Sequence, residues 1–189
     1  MKRILENIQK SFSPEEGAIE AIKKMMTVKT LGKNEHFLKS GDICNCVAFI
    51  EKGSMRQYFS YSKKEVSSDF FFENSFIVSF ASFLSQQPSI VNISAIETCE
   101  LLVLHHADVM QLIDTYPSLR KFADVLIREQ YIRAERREAA LLLLSPEERF
   151  NRIVEEHPKL FKRIPLHYVA SYLAITPETL SRYRRKHSQ

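Results

Sequence analysis

Near the C-terminus, three residues that can contact nucleic-acid bases recur at helical spacing: Glu178, Ser181 and Arg182. Positions i, i+3 and i+4 are neighbours on a helix surface, so these side chains project from one face. An arginine there can donate two hydrogen bonds to guanine O6 and N7, and a carboxylate can accept one from cytosine N4. Arg182 is therefore the candidate for a guanine contact, with Glu178 accepting from a cytosine or orienting the arginine.

Further polar residues extend this face at both ends. Thr176 and Pro177 form a typical helix start, with a capping hydroxyl and a proline at the first helical position. Basic residues one turn beyond Arg182 would neutralise phosphates. The predicted DNA-binding residues are Thr176, Glu178, Thr179, Ser181, Arg182, Arg185 and Lys186.

Two short helices must position this face. The pattern predicts one helix over residues 165–173, a tight connection at 174–175, and a second helix that begins at Thr176. Their predicted inner faces comprise Leu166, Val169, Ala170, Leu173, Leu180 and Tyr183. Two short helices joined by a tight turn, with a small alanine at their crossing, describe a helix-turn-helix. The alternative is a plain helical hairpin whose terminal basic residues only complement the helix dipole.

The charge distribution favours an anionic partner for this segment. Residues 159–189 contain seven basic residues and one acidic residue, whereas the preceding 158 residues contain 20 basic and 22 acidic residues. A basic segment attached to a near-neutral body is typical of proteins that bind nucleic acid.

Upstream, the residue pattern changes from helical to β. Apolar residues at helical spacing over 2–30, with a helix start at 13–16 (SPEE), predict N-terminal helices. Short runs of β-forming residues separated by turns over 36–105 predict a sandwich or barrel.

Beyond residue 107 the pattern is helical again, with a long segment over 118–144 and a helix over 146–156 that starts with a capping box. One apolar stripe of the long segment comprises Val125, Ile132 and Ala139, flanked by Phe122 and Leu143. A competing stripe comprises Ile127, Tyr131, Ala134 and Leu141. One stripe is expected to pack on the β-region and the other on a second subunit, and the sequence leaves open which does which.

These motifs together resemble the Crp/Fnr family of bacterial transcription regulators. Residues 175–182 (ITPETLSR) resemble the recognition-helix signature of that family, in which a Glu-Thr-x-x-Arg run reads the operator. Residues 38–42 (LKSGD) and 50–54 (IEKGS) resemble two of its β-roll turns. The long helix stands where the family places its dimerisation helix.

The resemblance implies an α+β fold in three parts. These are an N-terminal β-roll of the cyclic-nucleotide-binding type (a double-stranded β-helix) over 1–116, a dimerisation helix over 117–144 and a helix-turn-helix domain over 145–189. Because the sequence stops soon after the recognition helix, the usual β-wing is expected to be absent or vestigial. The implied function is sequence-specific binding of double-stranded DNA by a cytoplasmic homodimer that regulates transcription, with RNA polymerase as a further partner that the family allows.

One stretch departs from the family pattern. Members that bind cyclic nucleotides hold the phosphate with a Gly-Glu pair and a later Arg-Ser/Thr-Ala run. Here no glycine, acid or arginine lies between Asn74 and Glu97. A buried phosphodiester would lack its counter-charge, which is costly. We therefore expect no response to cAMP and assign no cofactor; the effector stays unknown.

Other function classes find little support in the sequence. Only four glycines occur, and none forms a phosphate-binding glycine loop. The longest apolar run, residues 139–144, is far shorter than the roughly 20 residues of a membrane span. Cys44, Cys46 and Cys99 lack the spacing of a metal site and predict reduced thiols.

No nucleophile lies at a catalytic spacing from a base, so we expect no enzyme. The aromatic residues Phe70, Phe71, Phe72, Phe76, Phe80 and Phe83 predict β-roll core, with an apolar ligand pocket as the alternative. The alternative to a DNA-binding regulator is a ligand-binding β-roll module whose C-terminal helices contact protein or RNA.

Overall fold

The computed structural model describes residues 14–62, 64–157 and 160–187 of the chain. Its first helix, α1 (Ala18–Met25), begins after Gly17, whose φ of 84° is left-handed. The helix start predicted at 13–16 is therefore wrong, and the helix predicted upstream of it lies outside the described residues. The predicted helical pattern also continued too far, because the residues after Met26 form a strand.

Two antiparallel sheets of four strands each follow. The strands are β1 (Thr27–Leu31), β2 (His36–Leu38), β3 (Cys46–Lys52), β4 (Met55–Tyr61), β5 (Lys64–Phe71), β6 (Phe76–Ile77), β7 (Asn92–Ala95) and β8 (Cys99–His105). One sheet has the order β1-β8-β3-β6 and the other the order β2-β7-β4-β5. The β-region predicted over 36–105 is confirmed, with β1 added at the edge of one sheet because it pairs with β8 along its whole length.

Apolar side chains fill the β-roll. Ile50, Met55, Ile77, Ile93 and Leu101 are fully buried in one cluster. Phe71 and Phe83 belong to the same cluster, and Phe80 packs against it from the short helix α2 (Phe80–Ser85) between β6 and β7. These three aromatic residues are therefore β-roll core, as predicted, whereas Phe70 and Phe72 pack with residues of the C-terminal helices. A second cluster lies under α1 and the helices that follow β8.

The helices after β8 are α3 (His106–Thr115), α4 (Pro117–Leu143), α5 (Pro146–Glu156), α6 (Leu160–Arg163), α7 (Leu166–Tyr172) and α8 (Pro177–His187). The long helix and the capping box of α5 are confirmed: Glu148 N donates to Ser145 Oγ at 3.3 Å, and Ser145 N donates to the Glu148 carboxylate at 2.7 Å. Within the described residues no strand follows β8, so this part of the C-terminal domain has no wing. None of the described helices has the length and apolar character needed to cross a membrane.

The start of α4 is tied to the N-terminal segment. Ser118 N donates to Glu15 Oε1 at 2.9 Å, and the Ser118 hydroxyl bonds to the same carboxylate. These bonds lower the pKa of Glu15. Glu15, which the sequence pattern placed in the first turn of its own helix, therefore caps another helix more than 100 positions away.

The two stripes of α4 have different surroundings. Leu119 is buried, and the Phe122 ring lies 5.5 Å from the ring of Phe76, so this side of the helix packs on the β-roll. Arg133 continues the contact further along, pairing with Asp69 on β5. Tyr131 projects elsewhere and is 69% exposed.

Candidate nucleic-acid interface

The connection between α7 and α8 has the geometry of a helix-turn-helix. Ala174 is left-handed, with a φ of 53°, and Ile175 N donates to Ala170 O at 3.0 Å. Ala170 is 1% exposed and belongs to the core cluster of the C-terminal domain. The predicted motif and its tight turn are confirmed.

Thr176 begins α8 in the predicted manner. Thr179 N donates to Thr176 Oγ1 at 3.2 Å, and Leu180 N donates to Thr176 O at 3.0 Å. The first amides of a helix have no partner inside it, and a capping hydroxyl satisfies one of them. The orientation of the first turn of α8 is therefore set by its own sequence.

The inner face of α8 is held by a small aromatic and aliphatic core. Leu180 and Val169 are fully buried. The Phe150 ring of α5 lies 5.6 Å from the Tyr183 ring, and Arg149 donates to Leu173 O at 3.0 Å. The predicted inner faces are confirmed except for Leu166, which is 37% exposed because it lies at the very start of α7.

The outer face of α8 brings together most of the predicted DNA-binding residues. Glu178, Ser181, Arg182, Arg185 and Lys186 are all exposed, as is the capping residue Thr176. Thr179 is only half-buried, and its hydroxyl lies 3.2 Å from that of Thr176, so it supports the cap. The residues thus lie on one helix and at its start, as the spacing predicted.

Charges on this face differ in how they are compensated. Among the described residues, Arg182 and Arg185 have no hydrogen-bond or ion-pair partner. Lys186 instead pairs with Glu147 at 2.6 Å, and this carboxylate raises the pKa of the lysine. The backbone amide of Glu178 and the Thr176 hydroxyl lower the pKa of Glu178, so this side chain is ionised at neutral pH. The face therefore offers two uncompensated guanidinium groups and one carboxylate acceptor.

The helix-turn-helix also docks on the β-roll through contacts that the sequence did not indicate. Ser67 N on β5 donates to Ser171 Oγ at 3.0 Å, and the Ser171 hydroxyl donates to Glu65 O at 3.0 Å. Arg56 is 3% exposed, with its guanidinium between the rings of Tyr58 and Tyr168, at 3.9 and 3.7 Å. The pairs Ser67–Ser171 and Arg56–Tyr168 each join different domains, so no local spacing identifies these contacts.

An ion-pair cluster forms a second link between the domains. Arg163 of α6 donates two hydrogen bonds to the Glu73 carboxylate, at 2.6 and 2.8 Å, and also pairs with Glu97. Gly53 N donates to Glu73 at 2.9 Å from the β3–β4 turn. The cluster therefore fixes the C-terminal domain against the turns at one end of the β-roll.

Comparison with known proteins agrees with this architecture. Residues 28–116 match the family model of the cyclic nucleotide-binding domain. Nearly the whole chain is similar in structure to FixK2 from Bradyrhizobium japonicum, with a TM-score of 0.77 and 15% identity over 87% of this chain and 85% of that one. None of the curated protein sequences is a match to this chain.

Two further solved structures share the arrangement. The c-di-GMP-responsive global regulator CLP of Xanthomonas campestris has a TM-score of 0.71 and 17% identity, with 92% of each chain covered. A protein from Eubacterium rectale, assigned to the Crp/Fnr family of transcriptional regulators, has a TM-score of 0.72 and 13% identity over 92% of this chain and 83% of that one. The expected resemblance, a β-roll followed by a long helix and a helix-turn-helix, is confirmed at the level of the fold.

The Arg163 cluster predicts a pH-dependent contribution to stability. Hydrogen bonds from Arg163 lower the pKa of Glu73 from its usual 4.5 to about 2. A carboxyl group with a depressed native pKa stabilises the fold above its unfolded-state pKa and loses this effect as the pH falls through the native value. We expect Glu73→Gln to lower the free energy of unfolding by about 1 kcal/mol at pH 7, since the pair is partly exposed. The difference from wild type should shrink as the pH falls from about 4.5 towards 2.

Glu100→Gln is the matched control, because Glu100 pairs with Lys52 at 3.7 Å and both side chains are more than half exposed. Its free energy of unfolding should follow the wild type at every pH. Chemical denaturation between pH 2 and pH 7 measures both variants. A Glu73→Gln difference that stayed constant over this range would contradict the assignment.

Proposed function

We propose that this chain is a sequence-specific DNA-binding transcription regulator that acts as a homodimer in the cytoplasm. The observation that carries the proposal is the outer face of α8, where Glu178, Ser181, Arg182 and Arg185 are exposed together on a helix anchored by its opposite face. The similarity to regulators of known structure supports the same function. It also supports a binding function rather than a catalytic one.

The residue types on α8 fit the major groove of DNA. The groove admits an α-helix, and its base edges present the acceptors of guanine and the amino donor of cytosine. Arg182 is assigned to guanine and Glu178 to a cytosine or to orienting Arg182. Arg185, one turn further on, is assigned to phosphate. Lys186 forms an ion pair with Glu147, so it is expected to contribute less to phosphate binding than Arg185.

The same face suits protein or RNA less well. Protein interfaces concentrate aromatic and apolar residues at their centre. None of the exposed large apolar side chains in the described residues lies on α8. Double-stranded RNA has a major groove too deep and narrow for side chains to read. We therefore prefer DNA binding over the alternative of a β-roll module that contacts protein or RNA. RNA polymerase remains a further partner that the family resemblance allows.

Dimerisation is assigned to the outer stripe of α4. Ile127, Tyr131 and Ala134 follow the alternating four-and-three spacing of a helical seam, whereas Leu141, further along the same stripe, lines the cleft between the domains. Tyr131 is 69% exposed, and Leu142 beside the stripe is 75% exposed, although both are large and carry apolar surface. A second copy of the chain would cover them and would place two recognition helices on two half-sites.

Light scattering on the intact chain tests this seam. We expect a particle of twice the 22.0 kDa chain mass at tens of micromolar, and Tyr131→Glu should reduce it to the monomer. A buried carboxylate without a partner is too costly for the seam to tolerate. Ile132→Glu is the matched control, because Ile132 lies on the side of α4 that faces the cleft between the domains, so this variant should stay dimeric. Monomeric wild type, or loss of the dimer only in Ile132→Glu, would contradict the assignment.

The proposed regulator does not respond to cyclic nucleotides. Where the family holds the phosphate, serine hydroxyls bond to one another and to the backbone: Ser79 and Ser89 lie 3.2 Å apart, and Ser82 donates to Gln87 O at 2.6 Å. No charged side chain occurs among residues 75–96 to balance a phosphodiester. Titration calorimetry with cAMP and cGMP should therefore show no specific binding, and a micromolar dissociation constant for either would overturn this part of the proposal.

The recognition helix predicts two different mutant phenotypes. Arg182→Ala should cost about 1–3 kcal/mol for the operator and relax the preference at one base position in each half-site. Arg185→Ala should weaken specific and non-specific DNA to a similar degree and lower the salt dependence by about one unit, because it removes a phosphate contact. Binding assays at several salt concentrations, on fragments selected by the purified protein, separate the two effects.

Arg128→Ala is the control for these variants, since Arg128 is exposed on α4 and lies outside the proposed DNA face. Its DNA affinity should equal that of wild type. Folded Arg182→Ala and Arg185→Ala proteins that bound DNA as tightly as wild type would show that α8 does not read DNA. The proposed function would then fail.

A further inference from the structure

A cleft of about 760 Å³ lies where the three parts of the molecule meet. Asp69, Phe70 and Phe72 of the β-roll line one side, and α4 lines another between Glu129 and Leu141. Residues of α5, α6 and α7, together with Leu173, close the third side. This volume is within the range of small-molecule sites.

The cleft is rich in arginine, and much of that charge is not balanced. Its lining includes Arg133, Arg136, Arg137, Arg149 and Arg152. Arg133 pairs with Asp69, and Arg152 pairs with Glu156. In contrast, the hydrogen bonds of Arg137 and Arg149 within the described residues go to backbone carbonyl oxygens, which carry no full charge.

Arg136 is the most available of the five. Among the described residues it has no hydrogen-bond or ion-pair partner, and it is exposed towards the cleft. The one lining carboxylate that likewise has no partner is Glu129, two turns earlier on α4. Three arginines without a carboxylate partner therefore face one unpaired carboxylate, which leaves the cleft positive.

Apolar side chains form the remainder of the lining. Phe70 and Phe72 contribute from the β-roll, Ile132 and Leu141 from α4, and Ile153 from α5. Arginine suits planar, bidentate recognition of carboxylate and phosphate groups, while an apolar wall gains from covering a hydrocarbon or ring. The arginines and the apolar side chains together suit a ligand that has an anionic head group and an apolar body.

We propose that this cleft binds an amphipathic small-molecule anion, with a carboxylate or phosphate head on the arginines of α4 and an apolar body against the aromatic and aliphatic lining. None of residues 76–91 lines the cleft, so the site is separate from the segment where the family holds cyclic nucleotides. Binding itself does not depend on the proposed DNA-binding function. Because the lining comes from the β-roll, α4 and the C-terminal domain, an occupant bridges all three.

The test uses the intact chain in its natural oligomeric state. The anionic dye 8-anilinonaphthalene-1-sulfonate should bind with increased fluorescence, and decanoate and decyl phosphate should displace it. Decanol, which has the same chain length without the charge, should displace it at least tenfold less well. Equal displacement by decanol would overturn the proposal, because it would show a merely apolar surface.

Variants locate the dye in the cleft. Arg136→Gln should weaken binding of the dye and of decanoate about tenfold, the effect of losing a charge-assisted hydrogen bond. Arg128→Gln is the matched control, eight positions earlier on the same helix and outside the cleft, and it should bind as wild type does. Ile132→Glu should also abolish binding, because it adds a second unpaired carboxylate. Wild-type affinity in Arg136→Gln, equal loss in Arg128→Gln, or no dye binding to the wild-type protein would each overturn the site.

A second measurement connects the site to DNA and rests on the proposed function. Saturating decanoate should change the affinity of wild-type protein for its selected DNA fragments by several-fold and leave Arg136→Gln unaffected. If decanoate binds without changing DNA affinity, the cleft is a ligand site that does not regulate α8. If no DNA binds at all, the proposed function fails while the ligand site stands on the displacement data.

Discussion

The placement of the C-terminal domain depends on Arg137. From α4, its guanidinium donates to Ser67 O on β5 at 3.0 Å and to Tyr172 O at the end of α7 at 3.1 Å, and it lies 3.8 Å from the centre of the Tyr172 ring. The last carbonyls of a helix have no partner inside it, and a cation near them is favoured by the helix dipole. Arg137 thus donates a hydrogen bond to a carbonyl at the C-terminal end of α7 and joins this helix to the sheet and to α4. Since α7 and α8 share a core, fixing α7 also decides which way α8 faces.

The arginines of this chain divide into two groups with different surroundings. Arg56, Arg133, Arg137 and Arg163 lie between domains and bond to carboxylates or carbonyls, so their charge serves internal docking. Arg182 and Arg185 lie on α8 with no such partner among the described residues. The first group of arginines holds α7 against β5. The exposed helix of the motif is then α8. An anchored inner face and an uncompensated outer face are what a rigid DNA-reading helix requires.

Sequence reasoning succeeded where the signal is local and failed where it is not. The capping box at Ser145, the cap at Thr176 and the turn before α8 each depend on residues within a few positions, and all were predicted. Residues 27–30 of β1 were predicted as helix because the pairing of this segment with β8 cannot be seen from the segment alone. Arg56 and Ser171 gave no signal, since their partners are over a hundred positions away in Tyr168 and Ser67. The sequence therefore predicted which side chains share the exposed face of α8, whereas the docking that orients this helix was not predicted.

The contrast between the β-roll interior and the cleft bears on how a signal could reach α8. In the roll, Cys44 N donates to Ser82 Oγ at 2.9 Å in a buried hydrogen bond, so a ligand entering there would break this bond and leave a buried amide unsatisfied. An anion on Arg136 carries no such cost, because among the described residues Arg136 has no hydrogen bond or ion pair to lose. The lining of the cleft also includes Arg137 and Arg149, whose bonds to Tyr172 O and Leu173 O fix the end of α7. An anion that drew either guanidinium towards itself would weaken those bonds, and the altered turn would change the direction of α8. On the proposal made above, the responsive surface is thus the joint between the domains and not the interior of the roll.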